Sequence, residues 1–165
     1  MLTDAVLRWR ELATVVGGRH RLAPELVLAV TQQESAGDPC AWRYEPAFLT
    51  TYAAGIARVV RETGSLRDDH WLKRDSHVLA TSYGLMQCLT VVAIERGMLE
   101  LLRYPTSLCD PELGLEAGCR HLRWCLDRRG GDLAAGLARY NGGGKPEYAP
   151  SVLRMYAAAG GARVV

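Results

Sequence analysis

The stretch Pro24-Glu25-Leu26-Val27-Leu28-Ala29-Val30-Thr31-Gln32-Gln33-Glu34-Ser35 decides how the chain is read. Pro24 suits the first position of a helix, because the N–H it lacks would have no partner there. Leu26, Val30 and Glu34 then follow at steps of four and share one face. The segment predicts a helix from Pro24 to about Ser35 with an acid at the inner edge of its apolar stripe. Desolvation there disfavours the carboxylate and raises its pKa. Moving a glutamate from about 4.3 to about 6–7 amounts to roughly 3–4 kcal/mol in favour of the neutral form. Two plainer outcomes compete: rotation outward at a frayed helix end, or pairing with an arginine such as Arg43.

Working outward, helical periodicity dominates. Leu2, Val6, Trp9, Ala13 and Val16 predict a first amphipathic helix ending at Gly17-Gly18. Phe48, Tyr52, Ile56 and Val59 predict a helix over Ala47–Glu62 with Gly64 as its stop. Asp75 or Ser76 caps a short helix through Ala80, and Thr90–Arg96 forms another closed by Gly97. Asp110-Pro111 opens a long helix to Arg129, ended by Gly130-Gly131, with Leu115, Cys119, Leu122 and Leu126 inward. Asp132 caps a helix that runs into Tyr140-Asn141-Gly142-Gly143-Gly144, too glycine-rich to stay helical. A last helix spans about Tyr148 to Ala159. Strands are expected to be minor, as short pieces between Arg67 and Leu72. The fold class is all-α or mostly α.

With 165 residues the chain has the size of one domain, spanning 1–165, and buries roughly 70% of its unfolded surface. No apolar run nears the ~18 residues of a membrane span. A net charge of +2, with basic residues scattered along helix faces, calls for no nucleic-acid partner. The five cysteines have no C-x-x-C spacing, so zinc ligation is not indicated and buried reduced thiols are the simplest expectation; a bridge from Cys40 or Cys109 to another element stays open. His20, His70, His77 and His121 form no H-E-x-x-H or comparable set, so no metal or other cofactor is expected. Met1-Leu2-Thr3-Asp4 has neither the basic nor the apolar region of a secretory signal.

Three motifs follow one another: Glu34-Ser35, then Ser82-Tyr83-Gly84-Leu85-Met86-Gln87, then Ala138-Arg139-Tyr140-Asn141-Gly142-Gly143. In this order they resemble the catalytic domain of the soluble lytic transglycosylases, whose fold is shared with goose-type lysozymes. The resemblance runs from about Leu22 to Tyr156. It is interrupted by an insertion at about 39–80, which resembles a subgroup seen in bacteriophage genomes. It implies a lysozyme-like helical domain with an inserted helical segment beside the groove. Its catalytic acid/base would be Glu34, with Ser35, Ser82, Met86, Gln87, Tyr140 and Asn141 around the substrate. Met86 would supply a dry wall, Gln87 and Asn141 amides for sugar, and Tyr140 a hydroxyl aimed at the Glu34 carboxyl. Trp42 and Tyr44 would lie near bound sugar or shield Glu34. Arg139, and Cys88-Leu89 after Gln87, depart from the family pattern and bear on groove shape.

The implied reaction cleaves the β-1,4 bond between N-acetylmuramic acid and N-acetylglucosamine in peptidoglycan glycan strands and leaves a 1,6-anhydromuramyl end. A lysozyme-type hydrolase would instead need a second carboxylate, about 5–5.5 Å or about 6.5–9.5 Å away; Glu45, Asp68, Asp69 and Asp75 are candidates. A silent wall-binding or phage structural module is the alternative outside enzymology. The expected protein is a monomer made in the cytoplasm that acts on the cell wall, an endolysin-like antibacterial agent delivered by a phage.

Overall fold

The computed structural model describes residues 1–62, 76–102 and 104–161. Among these residues there are eight α-helices: α1 (Asp4–Leu7), α2 (Arg10–Arg19), α3 (Pro24–Ser35), α4 (Pro46–Glu62), α5 (Thr90–Glu95), α6 (Pro111–Asp127), α7 (Leu133–Tyr140) and α8 (Tyr148–Ala158). A small sheet joins β1 (Trp42–Tyr44), β2 (Thr81–Tyr83) and β3 (Cys88–Leu89), and short 3-10 turns occur at Ser76–Val78, Leu99–Leu102 and Pro105–Cys109. The chain is mostly α, as the periodicity predicts.

The helix that decides the reading keeps its predicted bounds, but it is more central than an amphipathic stripe requires. Leu26 to Thr31 are all buried, so α3 is enclosed on every side over that stretch. Its C-terminus is bolted in place. Ala36 turns into the left-handed region at φ 52°, and Arg8 and Trp9 side chains each donate to the Gly37 carbonyl at 3.0 Å. The Ser35 hydroxyl donates to the Leu85 carbonyl at 2.8 Å and accepts from the Gly37 N–H at 3.1 Å. Glu34 therefore sits on a fixed end, not a frayed one.

Helix α6 is the shared spine. Asp110 caps it by accepting from the Glu112 and Leu113 N–H groups, as Asp132 caps α7 through Ala135. Leu115, Cys119, Leu122 and Leu126 of α6 enter one core with α1, α2, α3, α7 and α8. Ala117 of α6 enters a second core built from α4, α5 and the residues around the sheet. Burial of this apolar surface is the main stabilising contribution, at roughly 25 cal/mol per Å² removed from water.

The expected first helix is corrected in two respects. The first helix breaks at Arg8-Trp9 and then continues through Gly17-Gly18 to Arg19. Gly17 serves a close approach instead of a stop, because a Cβ there would lie 3.0 Å from the Leu22 carbonyl oxygen and 3.1 Å from a Val27 methyl. The residues from Arg67 to Leu72, with Gly64 and Asp75, lie outside the described residues; the strands among the described residues are Trp42–Tyr44 and the two that flank the Gly84–Gln87 loop, Thr81–Tyr83 and Cys88–Leu89. The described residues between 39 and 80 contribute the helix α4, which the periodicity predicts, and β1 in addition.

The sheet is antiparallel throughout, pairing Trp42, Arg43 and Tyr44 with Tyr83, Ser82 and Thr81, and Ser82 and Tyr83 with Leu89 and Cys88. Gly84 to Gln87 is thus the loop of a hairpin. It rests on the small residues of α6: a side chain at Gly84 would overlap the Leu108 carbonyl, and one at Gly118 would overlap Met86. Gly84 has φ 78°, open to glycine, whereas Gln87 has φ 47°, unusual for a residue with a side chain.

Candidate active site

The end of α3, the sheet, α4 and the glycine-rich segment after α7 enclose an open cleft of about 520 Å³. Glu34 forms part of it, with Arg43, Glu45, Phe48, Tyr52, Ser82, Gln87, Leu89, Val92, His121, Asn141, Gly142, Gly144 and Lys145. Glu34 is half-buried. Its carboxyl Oε1 accepts a hydrogen bond of 2.5 Å from the Tyr148 hydroxyl, at the first turn of α8. One turn on, the Ser151 hydroxyl donates to the Gln33 side chain at 2.7 Å, so α8 grips α3 at adjacent points beside the acid.

Burial is the largest influence on Glu34 and pushes its pKa up from the ordinary carboxylate value. The Tyr148 hydrogen bond, Arg43 and Lys145 pull it down, while Glu45 adds a smaller upward push. The same contact holds Tyr148 firmly protonated: burial and the neighbouring carboxylate raise the phenol far above its usual range. The result is an acid biased towards its neutral form, with its rotamer held by a group that cannot take its proton.

Arg43 does not pair with Glu34. Its Nε donates to the Glu45 carboxylate two residues on, and both side chains face the cleft. His121 lies on the cleft wall between the rings of Tyr140 and Trp124, with centroids at 5.1 and 5.8 Å. Burial, reinforced by Arg96 and Arg139, lowers its pKa to about 4, so at neutral pH it offers the cleft an uncharged ring.

The expected hydroxyl on the acid belongs to a different tyrosine. Tyr140 donates to the Met86 carbonyl oxygen at 2.7 Å and packs against the core. It sits on the last turn of α7, and its phenol satisfies a buried backbone acceptor instead of the carboxyl. Met86 is not a groove wall either. Its side chain is 0% exposed and lies over Gly118 in the main core, because the four-residue loop turns it away from the cleft.

Gln87 and Ser82 line the cleft, but their polar groups are engaged. The Gln87 amide donates to the carbonyls of Ala41 at 2.8 Å and Gly84 at 3.0 Å and accepts from Ser82 at 3.3 Å. These bonds hold the hairpin and β1 together, which accounts for the strained backbone at Gln87. Ser35 acts beneath the cleft, through Leu85. Asn141, the residue after α7, lines the cleft, and its side chain has no hydrogen-bond partner among the described residues.

Strand alternation places the aromatics of β1 on the other face. Arg43 lines the cleft, so its neighbours Trp42 and Tyr44 point away. Trp42 is 68% exposed, and Tyr44 meets His77 edge-on at 6.3 Å. Phe48 and Tyr52 of α4 are the aromatic residues between 39 and 80 that line the cleft among the described residues. Asp68, Asp69 and Asp75 lie outside the described residues. Among the described residues no group of three or more His, Cys, Asp and Glu could hold a metal ion, and no helix is long and apolar enough to cross a membrane.

Sequence reasoning missed Tyr148. The signal was present, since Tyr148, Val152 and Tyr156 recur at steps of four and are all buried on α8. A family model described as Transglycosylase SLT domain matches residues 11–149. Comparison with curated proteins and with solved structures returns no match.

Proposed function

The chain belongs to the SLT transglycosylase domain family, a lytic transglycosylase family whose substrate is peptidoglycan, and on that premise we propose that it cleaves the glycan strand with Glu34 as its sole acid and base. The observation that carries this is the half-buried Glu34 in an open cleft, biased to its neutral form and held by Tyr148.

Protonated Glu34 donates to the oxygen linking N-acetylmuramic acid to N-acetylglucosamine as the C1–O bond breaks. The acetamido group of the muramyl residue shares the positive charge left at C1. Glu34, now a carboxylate, takes the proton of the C6 hydroxyl, and O6 closes on C1 to give the 1,6-anhydro end. The proton lent in the first half returns in the second, and no water is consumed. Tyr148 opposes the uphill pKa of the acid in the first half and steadies its carboxylate in the second. Asn141, whose amide has no hydrogen-bond partner among the described residues, would bind sugar; Ser82 and Gln87 support the wall, and Ser35, Met86 and Tyr140 support it from beneath.

A hydrolytic reading has one observation in its favour: Glu45 shares the cleft with Glu34. Its ion pair with Arg43 makes it a poor base, because that partner stabilises the carboxylate. Digestion of purified peptidoglycan followed by mass spectrometry separates the two readings. Anhydromuramyl ends, lighter by one water, are the expected product. Reducing muramyl ends would call for a second carboxylate among Glu45, Asp68, Asp69 and Asp75, and an intact glycan would favour a silent wall-binding module.

A further inference from the structure

Two cysteines far apart in sequence flank residues that come together at the hairpin: Cys40 precedes Ala41, and Cys109 follows Leu108. Gly84 brings them together. Its N–H donates to the carbonyl of Ala41, next to Cys40, at 2.9 Å. The space where a side chain would stand is filled by the carbonyl of Leu108, next to Cys109. One glycine is therefore clasped on two sides by the neighbours of both thiols. Asp38 accepts the Cys40 N–H at 2.9 Å and folds that segment into a turn.

We propose that Cys40 and Cys109 are a modification site, forming an intramolecular disulfide that staples the start of the insertion to the segment leading into α6. Their surroundings differ from those of the other thiols. Cys88, Cys119 and Cys125 are buried, while Cys40 is exposed and Cys109 half-buried. Burial pushes the thiols of Cys88 and Cys125 up to about 12 and about 11, which makes them inert to exchange. Burial also raises Cys109, and next in order the charges of Cys40 and Asp38 raise it further, in keeping with their closeness. The exposed Cys40 is the thiol that a soluble oxidant reaches first.

With oxidised glutathione the chemistry has two exchanges. The Cys40 thiolate attacks one sulfur of the oxidant, giving a mixed disulfide and one reduced glutathione. The Cys109 thiolate then attacks the Cys40 sulfur and expels the second. Two thiols lose two hydrogens, and one oxidised glutathione becomes two reduced molecules. The closed loop of about 70 residues constrains the unfolded chain most where the entropy gained is large.

Incubation of the reduced, folded chain with oxidised glutathione, followed by denaturation, alkylation and mass spectrometry, tests the proposal. The expected result is a monomer about 2 Da lighter, a peptide linking Cys40 to Cys109, and three alkylatable thiols in place of the five of the reduced chain. The melting temperature should rise by roughly 5–15 °C. Neither change should occur in Cys40→Ser or Cys109→Ser. Five alkylatable thiols, a persistent glutathione adduct, a link to any other cysteine or a covalent dimer would each overturn it.

Discussion

The two walls of the cleft are built by different physics. On the helical wall, α8 reaches α3 with side chain to side chain contacts: Tyr148 on Glu34 and Ser151 on Gln33. On the sheet wall, Gln87 and Ser82 are bound to backbone carbonyls of Ala41, Gly84 and Arg43. The helical wall poises a reacting group, whereas the sheet wall spends its polar groups on holding its own shape. Substitutions on the two walls should therefore separate into losses of turnover and losses of stability.

Glu34→Gln tests the helical wall most severely. Loss of general acid/base work commonly costs about 10²–10⁴-fold, and turbidity clearance of purified walls should fall by that order while the chain stays folded. Retention of more than about a tenth of the activity would move the chemistry elsewhere.

Met86→Ala tests the other side. Removing a fully buried methionine should cost about 2–5 kcal/mol, read from a denaturant titration, through lost burial and the cavity it leaves. Turnover per folded molecule should change little. Had Met86 walled the groove, stability would hold and substrate binding would suffer.

The two tyrosines make the contrast at a single oxygen. Tyr148→Phe removes a hydrogen bond to the acid and should lower turnover about ten- to a hundredfold without unfolding the chain, in line with roughly 1.5–3 kcal/mol for bonds to charged groups. Tyr140→Phe leaves the Met86 carbonyl unpaired and should cost about 1 kcal/mol of stability at near-normal turnover. Lysis rates and melting curves from the same preparations decide; a larger fall in turnover for Tyr140→Phe would falsify the division of roles.

The same contrast shows what was legible in the sequence. Glu34 could be found because helical periodicity and a short motif coincide on one residue. The bounds of α3 and the caps Asp110 and Asp132 were readable because they depend on neighbours within four positions. Direction across the groove was not. Tyr140 lies in the motif and Tyr148 outside it, and only the packing of α8 on α3 brings the second phenol to the acid. Likewise Met86 reads as a wall from its place beside Gln87, yet a four-residue hairpin loop sends adjacent side chains to opposite sides. Trp42 and Tyr44 fail for a related reason: strands of three residues are too short to reveal their alternation, so the side each faces depends on a register set by Ser82 and Tyr83.

The smallest effect concerns proton linkage at Glu34, and its sign is fixed by which influence wins. Burial outweighs the Tyr148 bond and the charges of Arg43 and Lys145, so the folded chain holds the Glu34 proton more tightly than the unfolded chain, whose value is the ordinary 4.5. Between that value and the raised one, the unfolded state has lost a proton that the folded state keeps. Stability contributed by Glu34 is thus fully present below the ordinary value and declines as pH rises through the folded pKa. Glu34→Gln lacks this titration. Its melting temperature relative to the unsubstituted chain should climb as pH passes through the window and level off above it. In Tyr148→Phe, where the bond favouring the carboxylate is gone, the folded pKa should rise further and the window extend upward. If the phenol and the two cations won instead, the folded pKa would fall below 4.5, and Glu34→Gln would lose ground to the unsubstituted chain as pH rose. Melting curves across the acid to neutral range, on both variants, read the direction without any substrate present, and so separate the electrostatics of the acid from the chemistry it performs.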